Sequence, residues 1–328
     1  MLITRTPFRL SLYGGGLDYP EWYKENEAQV LCAGLDYYCY QTVRILPPFF
    51  KHKYRVVYSD IELTESVSDI KHPSVREVLK RYGEDRSIEI THAGDLPSRS
   101  GIGSSSAFTV GLINSMMALN GKYAGKVELA KAAIRIEQNE MQENVGFQDQ
   151  CAAAFGGLVV VEANKEEIRP RRFISNKDYV NYICQNMLLG FDGKERFSGD
   201  ASKIISKNIQ SKECSSLMHD LSEITKKGIE SFGKEADINV HAELTKEGRE
   251  IKIALNGDQD NQRTKELIQA TEAAGSLCTR VMGAGGGGFF VCWAPRHMHA
   301  HIKKSVKIKT WVDVKISNTG SQVIFSDD

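Results

Sequence analysis

The sequence predicts an α+β protein of two domains, 1–170 and 171–328. Three observations predict it. The chain of 328 residues exceeds the usual size of one domain, its first half mixes strand and helix signals, and its second half is mostly helical until strands return near the end. "LITRTPFRLSLY", "AQVLCAGLDYYCYQTVRI", "YRVVYS" and "SIEITHAG" are rich in β-branched and aromatic residues and read as strands. "HPSVREVLKRYG" has proline early and glycine last, which suits a short helix. After "GIGSSS", Phe108, Leu112, Met116 and Leu119 recur at helical spacing and Asn120-Gly121 stops the run. "KVELAKAAIRIEQNEMQE" is a second helix, and "GGLVVVEA" returns to strand.

The charged stretch "ANKEEIRPRRFISNKD" marks the change of character between the two domains. Beyond it, "GDASKIISKNI", "SSLMHDLSEITKKGIESF", "HAELTKEGREIKIAL" and "QRTKELIQATEAAG" are helical, interrupted only by the strand "NMLLGF". "CTRVMGAGGGGFFVCWAP" gives strand, glycine loop and strand, and "TWVDVKISNTGSQVIFS" predicts a final pair of strands.

Lys plus Arg equals Asp plus Glu at 42 each, so no global field points to nucleic acid or to an acidic membrane surface, and any anion must be held by local groups. Seven cysteines form no C-x-x-C pair and read as reduced core thiols. With no run of membrane-spanning length and no signal-peptide pattern in "MLITRTPFRLSLYGGG", a cytoplasmic location is expected.

Three glycine-rich loops carry the chemistry. "YGGGLDYP" and "GAGGGGFF" each suit a turn, and singly the structural reading is favoured for both. "LPSRSGIGSSSAF" is different: Gly101 and Gly103 allow a ligand close to the backbone, and the first turn of the following helix offers N–H groups and a dipole to an anion. Ser104 as a plain helix cap leaves two further serines unexplained. G-x-x-x-x-G-K-[ST], H-R-D, D-F-G and G-x-S-x-G are all missing, against P-loop, protein-kinase and serine-hydrolase readings. Gly283, Gly285 and Gly288 fit G-x-G-x-x-G, but the strand-like "FFVCWAP" follows where a dinucleotide fingerprint needs a helix.

Glu137 falls on the apolar stripe of Ala130, Ala133, Ile134 and Met141, where it is either a cation ligand, with Mg²⁺ the natural partner of phosphate, or an ion-paired edge residue. Asp149, between two glutamines in "GFQDQCAAAFGG", is either a general base toward a hydroxyl or an N-cap of "QCAAAF". Arg9 and Asp18 bracket the first glycine loop and serve either phosphoryl charge and hydroxyl groups or the surface. In "HMHAH", His297 and His301 share a helical face, but no other ligand completes a metal site.

Taken in order, "TPFRLSLYGGGLDYP", "LPSRSGIGSSSAF" and "VMGAGGGGFF" resemble the three motifs of the GHMP kinases, the superfamily named for galactokinase, homoserine kinase, mevalonate kinase and phosphomevalonate kinase. "YSDIE", "IKHPSVREVLKRYG" and "GFQDQ" add a likeness to the D-glycero-D-manno-heptose 7-phosphate kinase branch. The resemblance implies an N-terminal ribosomal-protein-like α/β domain, a C-terminal ferredoxin-like domain and a site between them. It implies ATP and Mg²⁺ as cofactors and a small sugar phosphate as substrate, with no nucleic acid or membrane partner; a homodimer is left open. Pro97, Ser98, Arg99, Ser100, Gly101, Ile102, Gly103, Ser104, Ser105 and Ser106 would wrap the nucleotide phosphates, and Ser105 and Glu137 would ligate Mg²⁺. Asp149 and Arg9 would be catalytic; Gly14, Gly15, Gly16, Asp18, Gly146, Arg196, Gly283, Ala284 and Gly285 would meet the sugar.

Two features depart from the family pattern: Cys278-Thr279-Arg280 replaces a frequent Gly-Gly-Lys, and "FDGKERFSGDAS" replaces a threonine-glycine stretch before the arginine. Lys53, Arg55, His72, Arg76 and Arg196 are the cationic candidates for a second phosphate on the sugar. The competing readings are a GHMP kinase for fucose, galactose, an amino sugar or an octose phosphate, a non-catalytic nucleotide-binding member, and a decarboxylase built on the same fold.

Overall fold

The structure is a computed structural model that describes residues 1–328 except 84–85, 194–198, 212–213, 257–261, 284–286, 309 and 328, and leaves aside the side chains of 199–202 and 256. Strand β1 (Leu2–Tyr13) runs antiparallel to the 18-residue β2 (Ala28–Ile45), with the short helix α1 (Pro20–Tyr23) between them. The length of β2 lets it serve two neighbours on the side away from β1. Cys39–Ile45 pairs with β5 (Ile88–Gly94), and Ala28–Ala33 pairs with β6 (Leu158–Ala163). Strands β3 (Tyr54–Val57), parallel to β5, and β4 (Ile61–Thr64) close one edge; β7 (Ile168–Arg172) pairs with β6, and β12 (Gln322–Ser326) with β1. Among the described residues this sheet has eight strands and a second sheet has four, ordered β11 (Thr310–Asp313), β8 (Met187–Phe191), β10 (Phe289–Trp293) and β9 (Cys278–Val281). The α+β expectation holds.

Helix α3 (Ser104–Leu119) packs on β1 and β2, its Phe108, Leu112 and Met116 buried as their spacing requires. Helices α2 (Pro73–Tyr82), α4 (Lys126–Arg135) and α5 (Gln148–Phe155) surround it. In the second half, α6 (Lys177–Gln185), α7 (Gly199–Ile209), α8 (Ser215–Gly233), α9 (Ile238–Asn256), α10 (Gln262–Ala273) and α11 (His299–Ser305) accompany the smaller sheet. The halves share core: the Tyr13 hydroxyl lies 2.9 Å from His241 Nδ1, the Tyr179 hydroxyl 2.6 Å from Nε2, and Trp293 stacks on the imidazole. Burial in that aromatic box pushes His241 down to about 4, so it is neutral at pH 7.

The predicted final pair of strands separates. β11 joins β8 in the small sheet, while β12 crosses back to β1, with Leu2 opposite Ser326. Hydrophobic alternation identifies a strand but not its partner. The charged 163–178 stretch also contains β7, whose "IRPRR" is too polar and proline-containing to be read as strand without the β6 edge it pairs with. No described helix is long and apolar enough to cross a membrane.

Candidate active site

All three loops meet around one cavity of about 890 Å³. β1 reaches it past a register irregularity between Pro7 and Arg9, after which the ladder resumes with Arg9 opposite Gly34. Its backbone N–H donates to the Ile102 carbonyl at 2.9 Å, tying β1 to the serine loop. Its guanidinium grips Asp149 with both oxygens, Nε to Oδ1 at 2.6 Å and Nη2 to Oδ2 at 2.8 Å, and donates from Nη1 to the Gly101 carbonyl at 2.7 Å. Burial alone would lower the Arg9 pKa, but the charge and hydrogen bonds of Asp149, together with the Asp18 charge, outweigh it and leave it raised. With Arg9 6% and Asp18 7% exposed, neither is a surface charge. Asp149 sits in the first turn of α5 behind Phe147 at the cap position, so it is not the N-cap.

The loop 97–106 is braced from within. The Ser100 hydroxyl donates to the Pro97 carbonyl at 2.6 Å, and Ser104 Oγ accepts the Arg99 N–H at 3.2 Å. Ser104 therefore caps the loop, while the helix begins after Gly103 with no side-chain cap. Gly103 has φ +68°, a left-handed conformation, and a β-carbon there would lie 3.0 Å from Asp149 Oδ2. The N-terminus of α3 thus opens into the cavity with its first N–H groups facing the position Asp149 and Arg9 border. The Phe289 N–H, just past the third loop, donates to the Ser100 carbonyl at 2.9 Å.

Glu137 lies on a π-helical turn, Ile136–Glu140, that continues α4 where the sequence reads as unbroken α-helix. Such a turn is a common device at functional sites. Its carboxylate is 0% exposed and accepts from the Ser106 hydroxyl at 2.8 Å and Gln150 Nε2 at 2.5 Å, all on Oε2. Oε1 is buried without a hydrogen-bond partner, and desolvation pushes the group up to about 7 against the pull of neighbouring donors. An orphaned carboxylate oxygen beside serine hydroxyls fits a hard cation such as Mg²⁺, which takes few protein carboxylates. Ser106, not Ser105, reaches Glu137; Ser105 is exposed on the first turn and lines the cavity.

On the far side, Asp18 accepts the Gly16 N–H at 2.8 Å and the Gln148 N–H at 3.4 Å, and burial followed by the Asp149 charge raises its pKa. Gly146 packs flat against it, so that a β-carbon there would overlap the carboxylate. Gly146→Ala is expected to displace Asp18 and, for the ATP-dependent phosphoryl transfer that the sequence resemblance implies, to lower kcat/KM for the acceptor at least roughly tenfold while ATP affinity stays near wild type. Steady-state kinetics with each substrate varied would check it; an unaltered acceptor KM and kcat would contradict the placement of Asp18.

Gly14, Gly15, Gly16 and Gly283 lie on loops that border this region, with Gly15, Gly16 and Gly283 lining the cavity; Arg196, Ala284 and Gly285 lie outside the described residues. Of the cationic candidates for a distal phosphate, Arg55 is paired with Glu89 at 2.8 Å and Arg76 with Glu77 at 2.9 Å, and neither they nor Lys53 line the cavity. His72 does line it, stacked on Phe108 at 4.6 Å and pushed down to about 4 by burial, hence neutral. The cavity instead gathers Lys203, Arg249, Lys252 and Arg280 from the C-terminal half, with Lys203 at its exposed rim. Lys252 escaped sequence reading because "EIKIAL" buries it among isoleucines in a helix whose face only the fold reveals; Arg280 was visible as a retained charge.

Residues 70–157 match the family model for the GHMP kinases N terminal domain. That segment carries the serine loop, Glu137 and Asp149, so the match falls on the part of the chain that builds the cavity. The chain is 25% identical over 302 residues to the D-glycero-alpha-D-manno-heptose 7-phosphate kinase of Campylobacter jejuni, covering 87% of each chain. It is 23% identical over 265 residues to the mevalonate kinase of Pyrococcus horikoshii, covering 76% of this chain and 71% of that one. Its fold matches the crystal structure of a D-glycero-D-manno-heptose 1-phosphate kinase from Bacteroides thetaiotaomicron with a TM-score of 0.79 over the whole of both chains, at 19% identity.

Proposed function

We propose that this protein is a GHMP kinase that transfers the γ-phosphoryl group of ATP to the anomeric hydroxyl of D-glycero-D-manno-heptose 7-phosphate, giving the 1,7-bisphosphate. The observation that carries the reading is the bidentate Arg9–Asp149 pair at the open end of α3, with Asp18 beyond it in the same cavity. The N–H groups of the first turn of α3 and the loop 97–106 would hold the phosphates. At the end of the cavity lined by Phe8, Tyr58, His72, His92 and Phe108, a flat base would find aromatic faces. Glu137, with Ser106 or Ser105, would hold Mg²⁺, which neutralises phosphate charge. Asp149, already holding two N–H donors, keeps lone pairs for the acceptor hydroxyl, and Arg9 stands ready for charge on the transferring group. That division of labour suits a loose phosphoryl transition state, where alignment and charge neutralisation supply most of the rate.

The two heptose kinases that this chain is similar to carry names with the phosphate on different carbons, and both names specify a phosphorylated heptose. A second reading, phosphorylation of a small hydroxy acid such as mevalonate, is favoured by the mevalonate kinases among the relatives. An ADP-release assay with Mg²⁺ and ATP over heptose 7-phosphate, heptose 1-phosphate, free hexoses and mevalonate separates them. Fastest turnover of heptose 7-phosphate, with a new anomeric phosphorus signal, is expected. Turnover confined to free hexoses or to mevalonate would overturn the reading.

A further inference from the structure

Four cations from three elements stand around the acceptor side of the cavity: Arg9 on β1, Arg249 and Lys252 on α9, and Arg280 on β9. Three are committed to the protein. Arg9 holds Asp149 and the Gly101 carbonyl. Arg249 holds Glu272 at 2.6 Å and the Thr279 carbonyl. Arg280 donates to the Ser11 and Leu12 carbonyls. Lys252 has no hydrogen-bond or ion-pair partner among the described residues, although it is only partly exposed and the cavity wall beside it includes Met218, Leu221 and Leu255. Desolvation, then the repulsion of Arg280, pushes its ammonium down to about 7, with Asp18 pulling the other way. Gly15 leaves room in front of it: a β-carbon there would come within 3.3 Å of Nζ.

An ammonium held beside two guanidinium groups, in a semi-apolar wall and without a carboxylate of its own, is poorly placed unless a ligand brings the missing negative charge. Its Nζ lies against Gly15, on the first glycine loop that also carries Asp18, and not against the serine loop, which points to a charge on the acceptor and not on the nucleotide. We infer that Lys252 is the residue that selects acceptors bearing an anionic group, binding the phosphate of a phosphorylated sugar in front of Gly15, with Arg280 as fixed backing charge. This rests on the proposed kinase reading and names the group that reads its substrate class. The same chemistry would take a carboxylate.

The test is Lys252→Met against Lys252→Arg, assayed with heptose 7-phosphate, the unphosphorylated heptose and mevalonate, with thermal melting to confirm folding. Lys252→Met is expected to raise KM for the phosphorylated sugar roughly ten- to hundredfold, the scale of a lost charge-assisted contact. KM for the neutral heptose should shift less than about threefold, and KM for ATP similarly little; Lys252→Arg should restore most of the loss. Equal shifts for phosphorylated and neutral sugar, or no shift for either, would overturn the role of Lys252 while leaving the kinase reading intact. Wild-type preference for mevalonate with the same Lys252→Met penalty would instead uphold Lys252 and overturn the heptose substrate. Wild-type turnover limited to neutral sugars would overturn both.

Discussion

Asp149→Asn is expected to lower kcat by roughly 10² to 10⁴, the range of a positioned acid–base group, with ATP affinity near wild type. The structure refines what else that variant does. Asp149 is the counter-charge of Arg9, whose side chain is 8% exposed. Removing one partner of such a pair costs about 3 to 5 kcal/mol when nothing replaces it, because the other charge stays buried. Asparagine keeps one oxygen for a guanidinium N–H, so its melting temperature should fall less than that of Asp149→Ala. Two measurements separate the roles: kcat by ADP release and thermal melting. If both variants lose activity only in proportion to their loss of folded protein, Asp149 is a structural counter-ion. If Asp149→Asn stays folded and retains wild-type kcat, its place at the reacting hydroxyl is wrong. Because the loop 97–106 reaches Arg9 through the Gly101 carbonyl and the Ile102 carbonyl, Asp149→Ala should also weaken ATP, whereas Asp149→Asn should not.

Glu137→Gln has the second large effect. The substitution keeps shape and removes charge from a fully buried carboxylate, so kcat should fall by roughly 10² or more if that oxygen anchors Mg²⁺. Stability should move the other way. In the metal-free protein Glu137 is pushed up to about 7 from an ordinary value of 4.5. Between those two values the folded state binds more protons than the unfolded state, so stability falls as pH rises through that window and stays reduced above it. Glutamine lacks this dependence. At pH 8 the metal-free Glu137→Gln protein should melt at or above the wild-type temperature, and at pH 5 the advantage should vanish. Mg²⁺ should raise the wild-type melting temperature more at pH 8 than at pH 5, and should do so much less in Glu137→Gln. A variant that keeps both wild-type kcat and the Mg²⁺-dependent stabilisation would remove Glu137 from the metal site.

Much of the fold was legible because local signals were strong. β1 and β2 run over the same residues as their quoted strand patterns, and α3 occupies the stretch between Gly103 and Asn120 that a glycine start and an Asn-Gly stop delimit. Arg9, Asp18, Glu137 and Asp149 stood out because charges in apolar or glycine-rich company are costly without a partner. The least legible elements depended on distant neighbours. β7 has a polar, proline-containing sequence and exists as the edge beside β6; β12 reads as the mate of β11 and instead pairs with β1. The π-helical turn at Glu137 has no periodic signature in "RIEQNEMQE", since a single turn of five residues is too short to display a change of period.

The sequence by itself determined the kinds of groups this protein owns: a serine loop behind two glycines, a carboxylate on an apolar stripe, an arginine before a glycine turn, and the strands and helices that carry them. These follow from spacing and composition, which act over a few residues. Only the tertiary structure decided who meets whom. It turned Arg9 onto Asp149, chose Ser106 over Ser105 for Glu137, set Gly146 against Asp18, and brought Lys252 beside Gly15 from more than two hundred residues away in sequence. The reason is physical: a one-position change of phase on α3 moves a hydroxyl from solvent to core, and pairing between remote strands is set by the packing of the whole sheet rather than by any segment within it.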